Sequence, residues 1–249
     1  MRGWADLLAA RLSARRVAAG APPLEYANLA IRGRLLRSIV DDQVPAALAL
    51  RPDLVSIVAG GNDLLRPDGN PDRLATRLEA AVARLRASGA DVLMATGFDT
   101  ADSPVVRLVR PKVAIYNAMI WSIARRHGAL VVDLWGMRAL RDWRMWAEDR
   151  IHLTTAGHQR VTQAALVALG LEPDQPDWDD PLAPLPPQPV FDRVRSNAHW
   201  LRVHAAPWAT RRIRHRSSGD GRSAKRPVPQ PISQTRRRPS APDGGPDPR

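Results

Sequence analysis

Cysteine is absent from the 249 residues. Its absence removes disulfides, thiolate nucleophiles, Cys-ligated zinc and iron–sulfur clusters together, and leaves the compartment open, since zero cysteines suits oxidising and reducing surroundings alike. Long apolar runs are missing as well. Nothing approaches the ~18 consecutive apolar residues of a membrane span, and Met1-Arg-Gly-Trp-Ala-Asp6 leads into charges rather than the apolar stretch of an export signal. The chain as given is expected to be soluble and cytoplasmic, an expectation that an upstream signal would change. Excess charge is also missing from most of the chain. Of the net +12, +11 falls between Asp192 and Ala241, where thirteen Lys and Arg face only Asp192 and Asp220. The basic character belongs to a tail and does not mark the folded part as a nucleic-acid binder. What is present is enough for a core: 44% of the residues are hydrophobic, in a chain long enough for one α/β domain or two small ones.

Composition changes near Glu172. From Pro173 onward lie 15 of the 23 prolines, including the run Pro181-Leu-Ala-Pro-Leu-Pro-Pro-Gln-Pro189, which favours extended polyproline backbone and lacks amide donors for a sheet. Residues 172–190 therefore read as a linker. Over 191–213, Val194, Ala198, Leu201, Ala205 and Trp208 recur at helical spacing, with Pro207 limiting the helix. Residues 214–249 carry too little apolar surface to offset the entropy of ordering them and read as a disordered basic tail.

Residues 1–171 alternate in the manner of a parallel α/β fold. Trp4, Leu8 and Leu12 mark an opening helix; Leu24 to Ala30 reads as a short buried strand. Leu35 to Leu50 is helical, with Pro45 kinking or dividing it. Asp53-Leu-Val-Ser-Ile-Val-Ala59 is the clearest strand. Leu74, Leu78, Val82 and Leu85 place a one-striped helix over 72–87, ended by Gly89. A strand follows at Asp91 to Thr96, a helix at Val109 to Arg126, a strand at Ala129 to Leu134 and a helix at Thr155 to Leu169 with Thr155 as its cap. No internal repeat is present.

Ligands of open parallel sheets bind outside the carboxyl ends of the strands, and three such ends carry polar or small residues. They are Asn28-Leu-Ala-Ile-Arg-Gly33, Gly60-Gly-Asn-Asp63, and the late Asp149-Arg-Ile-His152. With these blocks the chain resembles the SGNH (GDSL-like) hydrolase family over about residues 1–170. The resemblance implies a three-layer α/β/α, flavodoxin-like fold and ester hydrolysis through an acyl-enzyme, with no metal or cofactor and a small-molecule ester as substrate. It implies that the backbone N–H of Gly33 and the side-chain amide of Asn62 form the oxyanion hole. It makes His152 the general base, and Asp149 the group that fixes its tautomer and stabilises its charged form.

The family's first block, a strand ending in Gly-Asp-Ser with the nucleophile, has no counterpart among the twelve serines of this sequence. In the usual strand order 2-1-3-4-5 that strand is central, so its loss opens a slot whose unpaired backbone groups cost ~1–3 kcal/mol each. The expectation is that the natural product begins upstream of Met1 and that the chain as given is nearly inert. The alternative, from a different functional class, is a non-catalytic binding protein on a hydrolase frame whose basic tail contacts a polyanion.

Plainer readings stand beside these. His152 alone would be a satisfied loop or core histidine; its company reverses that. His158 reads as a helix-surface residue rather than a metal ligand, and Asn28 and Asp63 as residues that tie down turns. Trp135, Trp143 and Trp146 either line an acyl pocket or pack on the sheet edge. Gly60-Gly61 lacks the lysine and spacing of a P-loop. The tail reads as solvated, with salt-sensitive attachment to nucleic acid or anionic lipid as its alternative role.

Overall fold

The computed structural model describes residues 2–101, 103, 106–186, 189–205, 219 and 221–232. Helix α1 (Trp4–Ala18) leads to β1 (Glu25–Asn28). Helix α2 (Leu36–Ser38) passes through a π-helical turn, Ile39–Gln43, into α3 (Val44–Ala49). Pro45 has no N–H for the carbonyl four residues back, and the wide turn just before it accommodates the missing bond. Then come β2 (Leu54–Ile57), α4 (Gly61–Leu64), α5 (Pro71–Ala87), β3 (Asp91–Ala95), α6 (Arg110–His127), β4 (Leu130–Val132) and α7 (Thr155–Ala168). The chain goes on to α8 (Val190–Trp200) and β5 (Arg226–Pro231).

Strands β2, β3 and β4 form a parallel sheet in that order, with Val55 opposite Val92, Ile57 opposite Met94, and Leu93 opposite Leu130. Period-two alternation in β3 sorts the core into two halves. Val92 and Met94 pack with Leu36, Val44, Leu78, Val82, Leu85 and Ile120 under α2, α3, α5 and α6. Leu93 and Ala95 pack with Leu8, Val161, Ala165 and Leu166 under α1 and α7. The result is the three-layer α/β architecture expected of the sequence.

The helix ends follow local chemistry. Asn70 caps α5, its Oδ1 accepting from Arg73 N–H at 3.0 Å with Pro71 in the first turn. The cap of α7 is Thr154, one residue earlier than the sequence suggested: its Oγ1 accepts from Gly157 N–H at 3.2 Å.

Three expectations need correction. The strand near Leu24 is not a buried member of the parallel sheet. It is half-buried and pairs antiparallel with β5, Tyr26 opposite Gln230, and β2 has β3 as its hydrogen-bonded neighbour among the described residues. Arg226–Pro231, inside the stretch read as disordered, forms that partner strand, because Ile232 beside it buries against Ala9, Ala10, Leu24 and Tyr26. Of the remaining tail, 214–218, 220 and 233–249 lie outside the described residues. The proline-rich 172–186 has no regular element, but it is not a free spacer. Trp178 and Leu182 pack on the α1–α7 side of the core, Arg138 pairs with Asp179 and Asp180, and Arg144 donates to the Ala183 carbonyl.

Candidate active site

Because β2, β3 and β4 are parallel, their carboxyl ends share one rim. Gly60–Asp63 leaves β2 there, Gly97 leaves β3, and Asp133 leaves β4 toward the loop that carries Asp149 and His152. Gly60 turns the chain with φ +96°, a left-handed conformation; a Cβ would also lie 2.6 Å from the Tyr116 hydroxyl. That turn opens α4, which holds Asn62 and Asp63. Asn62 Nδ2 donates to the Arg34 carbonyl at 3.1 Å, and Asp63 Oδ2 accepts from Leu36 N–H at 2.9 Å. Asn62 is thereby tied to the residue that follows Gly33, whose φ of +74° bends its loop. Asp63 and Asn28 tie down turns, the latter accepting from Ala30 N–H at 3.1 Å.

The second half of the site is a short loop closed by an isolated bridge between Trp146 and Leu153. Ala147 N–H donates to His152 O at 2.7 Å and Arg150 N–H to Ala147 O at 2.8 Å. Inside this loop Asp149 Oδ1 accepts from Ile151 N–H and His152 N–H, each at 3.0 Å, and Oδ2 accepts from His152 Nδ1–H at 2.6 Å. Partial burial works to raise the Asp149 pKa, but these hydrogen bonds and the nearby imidazole charge outweigh it and hold the carboxyl below its usual range. With Nδ1–H donated to Asp149, the neutral form of the half-exposed ring presents its lone pair at Nε2 and in that form can take a proton from an incoming nucleophile.

The first turn of α1 is held from two sides, by β1 with Lys225 and by α7. Asn28 Nδ2 and Tyr26 OH both donate to Asp6 Oδ1 at 3.1 Å, while Asp6 Oδ2 accepts from Gly3 N–H and from Lys225. Burial works to raise the Asp6 pKa, yet Lys225, Asn28 and Tyr26 hold it low. On the other side His158 Nδ1 accepts from Trp4 N–H at 3.3 Å, and Thr162 Oγ1 donates to Trp4 O. His158 is therefore half-buried and structural, not a surface residue. Burial, and then the charge of His152, lower its pKa, which keeps Nδ1 free to accept.

The tryptophans divide. Trp146 is a packing residue, 8% exposed, its Nε1–H donating to Leu140 O at 2.8 Å and its ring 4.3 Å from that of Phe98. Trp135 lies under the Arg110 guanidinium, 5.1 Å away, and Trp143 stacks on Arg150. A concavity of about 480 Å³ between Arg2, Arg11, Arg15 and Asp174 does not involve the dyad or Asn62. No group of three or more His, Cys, Asp or Glu able to hold a metal occurs among the described residues, and none of their helices is long and apolar enough to cross a membrane.

Sequence reasoning missed four residues at this rim. Asp6 and Lys225 pair across most of the chain length, which no local pattern announces. Arg150 lies within the dyad loop and Trp200 bonds to it; of the helical stripe read over 191–213, residues 206–213 lie outside the described residues, and the part on α8 marks the face away from that contact. Val194 and Leu201 are 60% and 48% exposed, while Trp200 on the other side is buried.

Solved structures share the architecture. LAE5, an α/β hydrolase enzyme from the metagenome of Lake Arreo, Spain, is 27% identical with a TM-score of 0.56, over 68% of this chain and 81% of its own. An acetyl xylan esterase from Geobacillus stearothermophilus is 23% identical with a TM-score of 0.59, over 70% and 84%. TesA is 25% identical with a TM-score of 0.53, over 67% and 87%. No curated protein sequence matches the chain. The family model of GDSL-like lipases and acylhydrolases matches residues 1–160, through β1, the Gly60 turn and the Asp149–His152 loop, and the chain belongs to that family.

Proposed function

We propose that this chain supplies the base, its orienting carboxylate and the oxyanion donors of a carboxylic ester hydrolase that works through an acyl-serine. The serine is that of the family's Gly-Asp-Ser block, delivered at the N-terminal end of α1. The observation that carries the reading is the Asp149–His152 pair, with its 2.6 Å bond and an Nε2 that no neighbour among the described residues claims. Family membership supports a hydrolase frame. The bonds of Asn28 to Asp6 and of His158 to Trp4, which hold the first turn of α1, support that point of entry.

In this scheme the serine hydroxyl attacks the ester carbonyl carbon as its proton passes to His152 Nε2. The carbonyl oxygen becomes negative and is met by Gly33 N–H and the Asn62 amide, donors each worth about 10²–10³ in rate. Collapse of the tetrahedral adduct breaks the bond to the leaving alkoxide, which takes the proton from His152. Water, deprotonated by the same nitrogen, then hydrolyses the acyl-serine. Asp149 keeps its negative charge throughout and stabilises the imidazolium.

The test uses a version of the protein carrying the Gly-Asp-Ser block in frame ahead of Met1. It should hydrolyse p-nitrophenyl acetate and accept a fluorophosphonate label, and His152→Ala should lower turnover by about 10⁴-fold or more. Undiminished labelling in that variant would contradict the reading. A second reading, a non-catalytic binder with a polyanion-contacting tail, rests on the absence of Gly-Asp-Ser from these 249 residues. It gains if no in-frame upstream sequence encodes that block.

A further inference from the structure

The dyad loop contains a residue whose backbone its own sequence does not favour. Arg150, between Asp149 and His152, has φ +55°, the left-handed region in which a side chain's Cβ is disfavoured. That turn makes the site: it brings Ile151 N–H and His152 N–H back onto Asp149 Oδ1 and leaves Oδ2 for the imidazole. A strained turn persists only where its surroundings over-determine it.

The surroundings here come mainly from α8. The Arg150 guanidinium lies between two indoles, 5.5 Å from the Trp143 ring centre and 5.3 Å from that of Trp200. Its Nη1 donates to Asn197 Oδ1 at 2.7 Å and its Nη2 to Ser196 Oγ at 3.3 Å. Trp200 is 5% exposed, and its Nε1–H donates to the Asp149 carbonyl at 3.1 Å, so it grips both sides of the peptide that carries the turn. No acid pairs with Arg150 among the described residues. The cation is held by neutral acceptors and π faces, an arrangement suited to the planar guanidinium and not to an ammonium. Helix α8 lies outside residues 1–160, the part of the chain matched by the family model.

We infer that α8 is a positioning element for the dyad, in which Trp200, Asn197 and Ser196 hold Arg150 in its left-handed turn and so set the Asp149–His152 geometry. This inference rests on the reading of that pair as the catalytic dyad, but its test needs no turnover. In the full 249-residue chain, hydrogen exchange of the Ile151 and His152 amides and the titration of the Asp149 carboxyl by ¹³C NMR report the turn directly. Trp200→Phe keeps a ring for packing and removes the Nε1–H. Arg150→Lys keeps the charge and removes the fork.

Both variants are expected to retain cooperative unfolding. Protection of the two amides should drop about tenfold or more, and the Asp149 midpoint should rise toward the ordinary carboxylate value as its N–H donors loosen. Asn197→Ala, a milder change, should shift both readouts in the same direction by less, and serves if either larger change prevents folding. Unchanged protection and an unchanged Asp149 midpoint in the folded variants would overturn the inference. Failure of the hydrolase reading looks different: no ester turnover in the extended protein, with the NMR responses to Trp200→Phe intact.

Discussion

Asp149 commits all its acceptor geometry to its own turn: two backbone N–H groups on one oxygen and an imidazole on the other. A carboxylate so occupied fixes the histidine tautomer through bonds made within four consecutive residues, in a turn that α8 contacts from outside. The other half is assembled from separate segments. Asn62 reaches its position through the Gly60 turn and a bond to the Arg34 carbonyl. In the extended protein, Asn62→Ala is expected to lower kcat for p-nitrophenyl acetate about 10²–10³-fold with little change in KM, because the lost donor acts on charge that develops only in the transition state. Equal loss in KM would assign Asn62 to substrate binding instead. At this scale the sequence was readable where chemistry is local. Asp149-x-x-His152 and Gly60-Gly-Asn-Asp63 carry their own turn logic. The Asp6–Lys225 pair and the Trp200 bond to Asp149 do not, since their partners are brought together only by the folded chain.

Among the elements, α1 and α7 are joined at the rim by a bond that requires a neutral histidine. His158 Nδ1 accepts from Trp4 N–H, and its folded pKa lies below the ordinary 6.5. The sign follows directly. Above about pH 6.5 both folded and unfolded forms are neutral at this position and its contribution is complete; as pH falls below that value the unfolded chain takes up protons first, so stability declines through the folded pKa. His158→Asn retains an acceptor and cannot titrate. Chemical denaturation between about pH 7 and 5 should therefore show a shallower acid loss in His158→Asn than in the parent. Parallel slopes would mean that other groups govern this range. Element by element, long stripes were legible: Leu78, Val82 and Leu85 announced α5, and the alternation of Val92, Leu93 and Met94 announced β3. What misled was β1. Four residues without a strong pattern read equally well as a buried parallel strand or as half of an antiparallel ribbon, and the choice depends on a partner about two hundred residues away.

Across the whole molecule the C-terminal segment is structural where it touches the family domain. Ser13 Oγ donates to Ile232 O at 2.9 Å and accepts from Leu24 N–H at 3.1 Å, joining α1, β1 and the end of β5 through one buried hydroxyl. Ile232, 5% exposed, fills the space beside Ala9 and Ala10. Ile232→Ala should destabilise the protein by about 2–5 kcal/mol in urea unfolding, the cost of emptying a packed site, and Ser13→Ala by about 1–3 kcal/mol for the stranded Ile232 carbonyl and Leu24 N–H. Values near zero for both would mean that β5 detaches in solution. Charge composition hid this, because a basic, proline-rich tail offers no apolar stripe, and a six-residue ribbon carrying three prolines, stabilised by one isoleucine and one lysine, leaves almost no trace in an average.

The central claim is that Gly33 and Asn62 serve the same reacting carbon as His152. A crystal structure of the extended protein with a phosphonate bound to its serine measures this most directly. The account predicts the phosphonyl oxygen within hydrogen-bond reach of Gly33 N–H and Asn62 Nδ2, with His152 Nε2 turned toward the serine oxygen. A phosphonyl oxygen held by other donors, or an imidazole facing away from the adduct, would contradict it.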